Sequence, residues 1–160
     1  MVILGIDPGE TLIGIGVVKK SGSKIEYIGH ECITIASEKK TEEKLFEIDE
    51  KMAEILERHK PDAIGIESLF FFKNLKTAIR VAQARGVLLL ACQKKNLKIW
   101  EFTPLQVKQA VACYGRAEKK QVQNMVKAIL ELSEIPKPDD AADALAVAIC
   151  AANTSEVLIK

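Results

Sequence analysis

The spacing of apolar residues changes character at Thr41, and that change restricts the fold more than any other feature of the chain. Before it, residues 2–7, 12–19 and 25–35 are rich in Ile and Val and are broken by Pro8-Gly9 and Ser21-Gly22-Ser23, the pattern of three strands joined by tight connections. Such strands form an antiparallel meander. From Thr41 onward Leu45, Ile48, Met52, Ile55 and Leu56 recur at three- and four-residue steps until His59-Lys60-Pro61, which predicts an amphipathic helix. A short apolar run at 63–67 predicts a buried strand, residues 74–95 a long helix and 97–102 a further strand. Thr103-Pro104 supplies a cap and a first-turn proline for a helix reaching Cys113 or Tyr114, where Gly115 is expected to stop it. Two more helices are expected near 118–132 and 139–152. A meander followed by alternating helices and strands gives an α/β architecture: a mixed five-stranded sheet, antiparallel then parallel, flanked by helices. No repeat or linker divides residues 1–160, so one domain is expected.

Within that pattern four acids stand where the neighbouring residues specify an interior. Asp7 closes the run Val2-Ile3-Leu4-Gly5-Ile6 and is followed by Pro8-Gly9, and Glu67 closes Ala63-Ile64-Gly65-Ile66. The last helix opens with Asp139-Asp140-Ala141-Ala142-Asp143, in which Asp140 and Asp143, three apart, share a face. If a crossover helix sets the fourth strand beside the first, Asp7 and Glu67 come together. Four converging carboxylates repel one another and rise in pKa unless cations lie between them. A pair of Mg2+ ions about 4 Å apart would resolve the repulsion and could activate water against a phosphodiester. Each acid taken singly has a plainer explanation: Asp7 as a turn former, Glu67 as an exposed strand end, Asp139 and Asp140 as acids facing a helix dipole. Those explanations do not account for two acids ending core-like runs, nor for Asp143 beside Ala142, Ala144 and Leu145.

Charge divides unevenly along the chain. Residues 73–137 hold 13 Lys and Arg against 4 Asp and Glu, a net +9, while the remainder holds 10 against 18, a net −8, so the total of +1 conceals a basic half suited to phosphates. The four cysteines, Cys32, Cys92, Cys113 and Cys150, include no CxxC pair, and no apolar run reaches the eighteen or so residues of a membrane helix. A soluble protein of the reducing cytoplasm is expected, with a core that needs no disulfide.

Several blocks, in order, resemble one family. Gly5-Ile6-Asp7-Pro8-Gly9 is similar to the opening motif of the crossover junction endodeoxyribonucleases, the RuvC family of Holliday junction resolvases in the ribonuclease H-like superfamily, and Ile66-Glu67 with Phe70 is similar to its second motif. Gln83-Ala84-Arg85-Gly86-Val87, Gln106-Val107-Lys108-Gln109-Ala110-Val111 and Ala117-Glu118-Lys119-Lys120-Gln121-Val122-Gln123 match further segments, and Asp140-Ala141-Ala142-Asp143-Ala144-Leu145-Ala146 matches the closing acidic motif. Some relatives carry a histidine where this chain has Asp140. Asp139 falls outside the motif and is expected only to cap its helix.

The resemblance implies a ribonuclease H-like nuclease domain acting on four-way DNA junctions in recombination and repair. Asp7, Glu67, Asp140 and Asp143 would be the catalytic metal ligands, holding two Mg2+ with Mn2+ as a substitute, and each nick would leave a 5′ phosphate and a 3′ hydroxyl. Lys108 and Lys119 fall on the family's junction-binding positions, and Phe70 on its aromatic position, where a ring can stack on an unpaired base. A homodimer is implied because two symmetry-related nicks need two sites. Branch-migration motor proteins of the RuvA and RuvB type are the implied partners. A sugar-kinase or actin-like ATPase also opens on a strand with Asp-x-Gly, but 160 residues leave no room for its second half. A ribonuclease H-like nuclease acting on RNA, or a binding-only homologue, stays open on the residues alone.

Overall fold

The computed structural model describes residues 1–69 and 75–154. Three strands come first, β1 (Val2–Asp7), β2 (Leu12–Ser21) and β3 (Lys24–Thr34), and pair antiparallel as a meander. Gly22, at φ 58, opens the two-residue link between β2 and β3, a position where a tight hairpin needs a positive φ. Helix α1 (Thr41–His59) follows and ends where Lys60 turns left-handed ahead of Pro61. It crosses over to β4 (Ala63–Glu67), which lies parallel to β1. Then come α2 (Leu75–Lys94), β5 (Lys98–Phe102), α3 (Pro104–Ala112), α4 (Lys119–Ile129) and α5 (Asp139–Thr154). The strand order is β3-β2-β1-β4-β5, with β5 parallel to β4, so the mixed five-stranded sheet is as expected.

Element ends depart from the sequence expectation where local chemistry overrides period. Helix α3 ends at Ala112 because Cys113 adopts φ 54, so the stop precedes Gly115. The apolar spacing near 118–132 runs on to Leu132, yet α4 ends at Ile129, and Glu131 takes φ 53 to turn the chain. Strand β2 runs two residues beyond 19, and α5 two beyond 152.

The sheet separates two apolar layers. One face packs Leu4, Ile6, Ile15 and Ile64 against Ile48 and Met52 of α1 and Leu88 of α2. The other packs Ile3 and Val18 against α5, with Val107 of α3 and Val126 of α4 in the same layer. Side chains alternate along a strand, so Gly5 and Asp7 share the α5 face with Ile3, and Gly65 and Glu67 share it on β4.

A row of glycines sets the height of α5. Gly16, Gly5 and Gly65 are neighbours in register across β2, β1 and β4. A Cβ on Gly5 would collide with backbone of Ala144 and Ala148, one on Gly16 with backbone of Leu145, and one on Gly14 with the carbonyl of Asp140. The facing helix is built of Ala141, Ala142, Ala144, Ala148 and Ala151, all buried, so its backbone settles onto the strands. Gly5→Ala is expected to destabilise the protein by about 3 kcal/mol, the upper end for overpacking, because rigid backbone stands in the way. The urea midpoint measures this, and an unchanged midpoint would mean that α5 does not rest on this glycine.

Candidate active site

The glycine row ends at the acids. Ile6 and Ile66 are in register on parallel neighbours, so Asp7 and Glu67, one residue further, stand side by side at the strand ends, with Gly14 opposite Asp7. Helix α5 enters above them, and Asp140 and Asp143 are half-exposed while Ala141, Ala142 and Ala144 are buried. Sequence-distant acids thus meet because the sheet register and the seating of α5 leave them one place to go.

Their electrostatics report the crowding. Burial first, then the charges of Glu67, Asp143 and Asp140, push the Asp7 carboxyl up to about 8. Burial and Asp143 raise Glu67 to about 6, held back by a hydrogen bond with Asp7 and by the positive charges of Lys108 and Lys119. Two carboxyl groups sharing a hydrogen bond need one proton between them. Asp143 is also raised, by burial first, against the opposing pull of Lys119.

Both expected lysines face this cluster. Glu67, Asp143, Lys108 and Lys119 line a cleft of about 210 Å³ with Val107 and Val122. A larger open groove, about 800 Å³, runs along the exposed side of α1 past Glu43, Phe46 and Glu50. The burial and perturbed carboxyl groups favour the smaller cleft as the chemical site, since a solvated helix face shifts nothing comparable. Lys119 opens α4 and sets its Nζ 2.9 Å from Asp143 Oδ2 and 3.3 Å from Asp139 Oδ2. Asp139, expected only to cap its helix, is the first residue of α5, and its side chain instead pairs with Lys119 and accepts, through Oδ1, from Gln123 Nε2 at 3.0 Å. Phe70 lies outside the described residues.

Two groups at the site were not legible as such. Arg85 Nε donates to the Glu67 carbonyl at 3.3 Å while its guanidinium pairs with Glu101, tying β4 to β5 behind the acid. Its signal was its place in the block Gln83-Ala84-Arg85-Gly86-Val87, and its side chain is only 14% exposed. Cys32 sits opposite Gly14 on β3, and burial together with the charges of Asp140 and Asp7 raises its thiol pKa.

The donor chemistry fits a hard divalent cation. All four candidate ligands are carboxylates, the oxygen donors that Mg2+ and Mn2+ take. Among the described residues no three stand ready around one point. One physical cause is that the Lys119 ammonium already holds Asp143, at 2.9 Å. Mg2+ is characteristically bound by one or two carboxylates, waters and substrate phosphates, so a closed protein cage is not required.

Comparison with known proteins agrees along the whole length. The family model for crossover junction endodeoxyribonuclease RuvC matches residues 3–151. The crossover junction endodeoxyribonuclease RuvC of Halothermothrix orenii is 54% identical over 96% of this chain and 93% of its own, and that of Thermosipho melanesiensis is 55% identical over 95% and 97%. Among solved structures, Thermus thermophilus RuvC in complex with Holliday junction substrate superposes with a TM-score of 0.90 at 34% identity, covering 99% of this chain and 97% of that one. Agreement in sequence, length and backbone at once leaves one assignment for this ribonuclease H-like fold: the chain belongs to the RuvC family of crossover junction endodeoxyribonucleases.

Proposed function

We propose that this protein is a metal-dependent endonuclease that resolves four-way DNA junctions by paired symmetric nicks, in recombination and repair. The observation that carries the reading is the convergence of Glu67 and Asp143 with Lys108 and Lys119 at one cleft, with Asp7 hydrogen-bonded to Glu67, in a chain of this family. Asp7, Glu67, Asp140 and Asp143 would hold two Mg2+, with Mn2+ able to substitute. Bound there, the ions supply an activated water and stabilise the charge on the leaving 3′ oxygen. The chain's own residues do the rest. Arg85 fixes the strand end that carries Glu67, the glycine row fixes α5, and the two lysines attract the phosphate to be cut. Phe70, three residues beyond Glu67, would stack on a base unpaired at the crossover.

A homodimer fits the requirement for two nicks. Its support here is a stripe on α2: Leu75, Ile79, Ala82, Gly86 and Leu90 fall on one exposed face at 3.6 residues per turn, and the surface at Gly86 is open. Residues 1–160 would act as one nuclease domain in the cytoplasm, with branch-migration motor proteins as partners. Among the described residues no helix is long and apolar enough to cross a membrane.

An end-labelled four-way junction incubated with Mg2+ should be cut at symmetric positions on opposing strands, and EDTA should abolish the products. Preferential cutting of an RNA duplex would move the protein to another ribonuclease H-like activity, and tight junction binding without cutting would make it a binder. Lys119 gives a finer test. If its ammonium meets a phosphate, Lys119→Ala weakens junction affinity and lowers the slope of log K against log salt by about 1. An unchanged slope would confine Lys119 to its contacts within the protein.

A further inference from the structure

We propose that Asp139 is a positioning residue that holds Lys119 at the mouth of the acid cluster and receives its ammonium when a divalent cation takes Asp143. The proposal rests on the reading of Asp143 as a metal ligand and adds to it a residue outside the family's four acids. Lys119 Nζ is shared between Asp143 Oδ2 at 2.9 Å, inside the cleft, and Asp139 Oδ2 at 3.3 Å, outside it. The two carboxylates are very differently placed. The Asp143 side chain is 33% exposed and that of Asp139 62%, so one looks toward the buried acids and the other toward solvent. Asp139 is also braced, since its second oxygen accepts from Gln123 Nε2, one turn along the helix that Lys119 opens.

In the absence of metal the ammonium is the cation paired with Asp143, at 2.9 Å. A divalent cation entering at Asp143 repels the ammonium, which must then find another anion. Without Asp139 the ammonium would lose the second carboxylate it already touches. With it, the charge moves across a bond it already makes, staying beside the cleft where a phosphate will arrive. Asp139 therefore lowers the cost of displacing Lys119 and keeps the side chain oriented.

The test is a double-mutant cycle read by binding of Mn2+ to the DNA-free protein, followed as loss of the free-ion electron paramagnetic resonance signal. Asn at 139 keeps the acceptor for Gln123 and removes the charge, and an exposed position tolerates it. In the wild-type background Asp139→Asn should weaken Mn2+ binding about two- to fivefold, the range an ion pair this exposed can deliver. Lys119→Met should tighten it, because the competing ammonium is gone. In the Lys119→Met background Asp139→Asn should change nothing, and Asp139→Glu in the wild-type background should restore most of the affinity. An equal loss in both backgrounds would mean that Asp139 acts only as a distant negative charge, and no loss in either would mean that it does not hold the lysine; each result overturns the proposal. Failure of the wild-type protein to bind Mn2+ at all, or binding unaffected by Asp143→Asn, would instead remove Asp143 as a ligand and the proposal with it.

Discussion

Asp7→Asn should reduce junction cleavage by on the order of a thousandfold while leaving junction binding intact. Asp7 lies deepest among the acids and faces the charges of Glu67, Asp143 and Asp140. Asn has the same shape but removes the charge that draws a divalent cation between them. Loss of several kcal/mol of metal-assisted stabilisation of the leaving oxygen and the attacking water translates to roughly three decades in rate, at about 1.4 kcal/mol per decade. Binding depends on different groups. Phosphate contacts supply most of the affinity for DNA, and these come from the basic half that includes Lys108 and Lys119, so removing a negative charge nearby leaves binding unchanged or slightly tighter. Single-turnover cleavage and a gel-shift titration on the same junction separate the two effects. Near-normal cleavage by the variant would remove Asp7 from the metal site, and parallel loss of binding would point to a misfolded cleft.

The metal-free protein should lose stability as pH rises from about 4 to about 8, the reverse of what paired surface carboxylates produce. Asp7 titrates near 8 in the folded protein against 3.8 for an ordinary Asp, and Glu67 near 6 against 4.5. A carboxyl whose folded pKa is raised binds a proton in the folded state that the unfolded chain has already released. Its contribution is therefore complete below the unfolded value and is lost as pH climbs through the folded value. Glu47 and Glu57, lowered by their lysine partners, behave oppositely, but their transitions lie at more acid pH and leave this window clear. Urea midpoints in EDTA should fall between pH 5 and pH 8 in the wild-type protein and fall less in Asp7→Asn, where the raised Glu67 and Asp143 still titrate but Asp7 does not, so that at pH 8 the variant should be the more stable of the two. Added Mg2+ should raise the wild-type midpoint most at pH 8, where the fewest protons must be displaced from the ligands. A wild-type midpoint that rises or stays level across this range would mean that the acids are more solvated than their positions indicate.

The order of elements could be read from the chain because it depends on local period. Alternation set the strands, three- and four-residue spacing set α1, and Thr103-Pro104 marked the start of α3, where Thr103 Oγ1 accepts from the Gln106 amide at 3.3 Å. The acids were legible for a related reason: a charge closing an apolar strand, as Asp7 and Glu67 do, contradicts its neighbours, and contradictions of that kind collect at functional sites. Helix ends such as Cys113 and Glu131 were not, because a non-glycine residue enters the left-handed region only when surrounding packing holds it there.

Which residues are apolar, which strand ends carry acids and which half of the chain is basic can be read along the chain. How they meet depends on the packing of distant elements. Gly16, Gly5 and Gly65 look like unrelated small residues until β2, β1 and β4 bring them into one row and α5 settles on it. Arg85 acquires its partner at the Glu67 carbonyl, and Lys119 its two at Asp139 and Asp143, only when separate elements pack. The physical reason is range: period, capping and turn preference act over a few residues, whereas the charge that shifts Asp7 arises from groups up to 136 positions away that share a few ångströms of poorly solvated space.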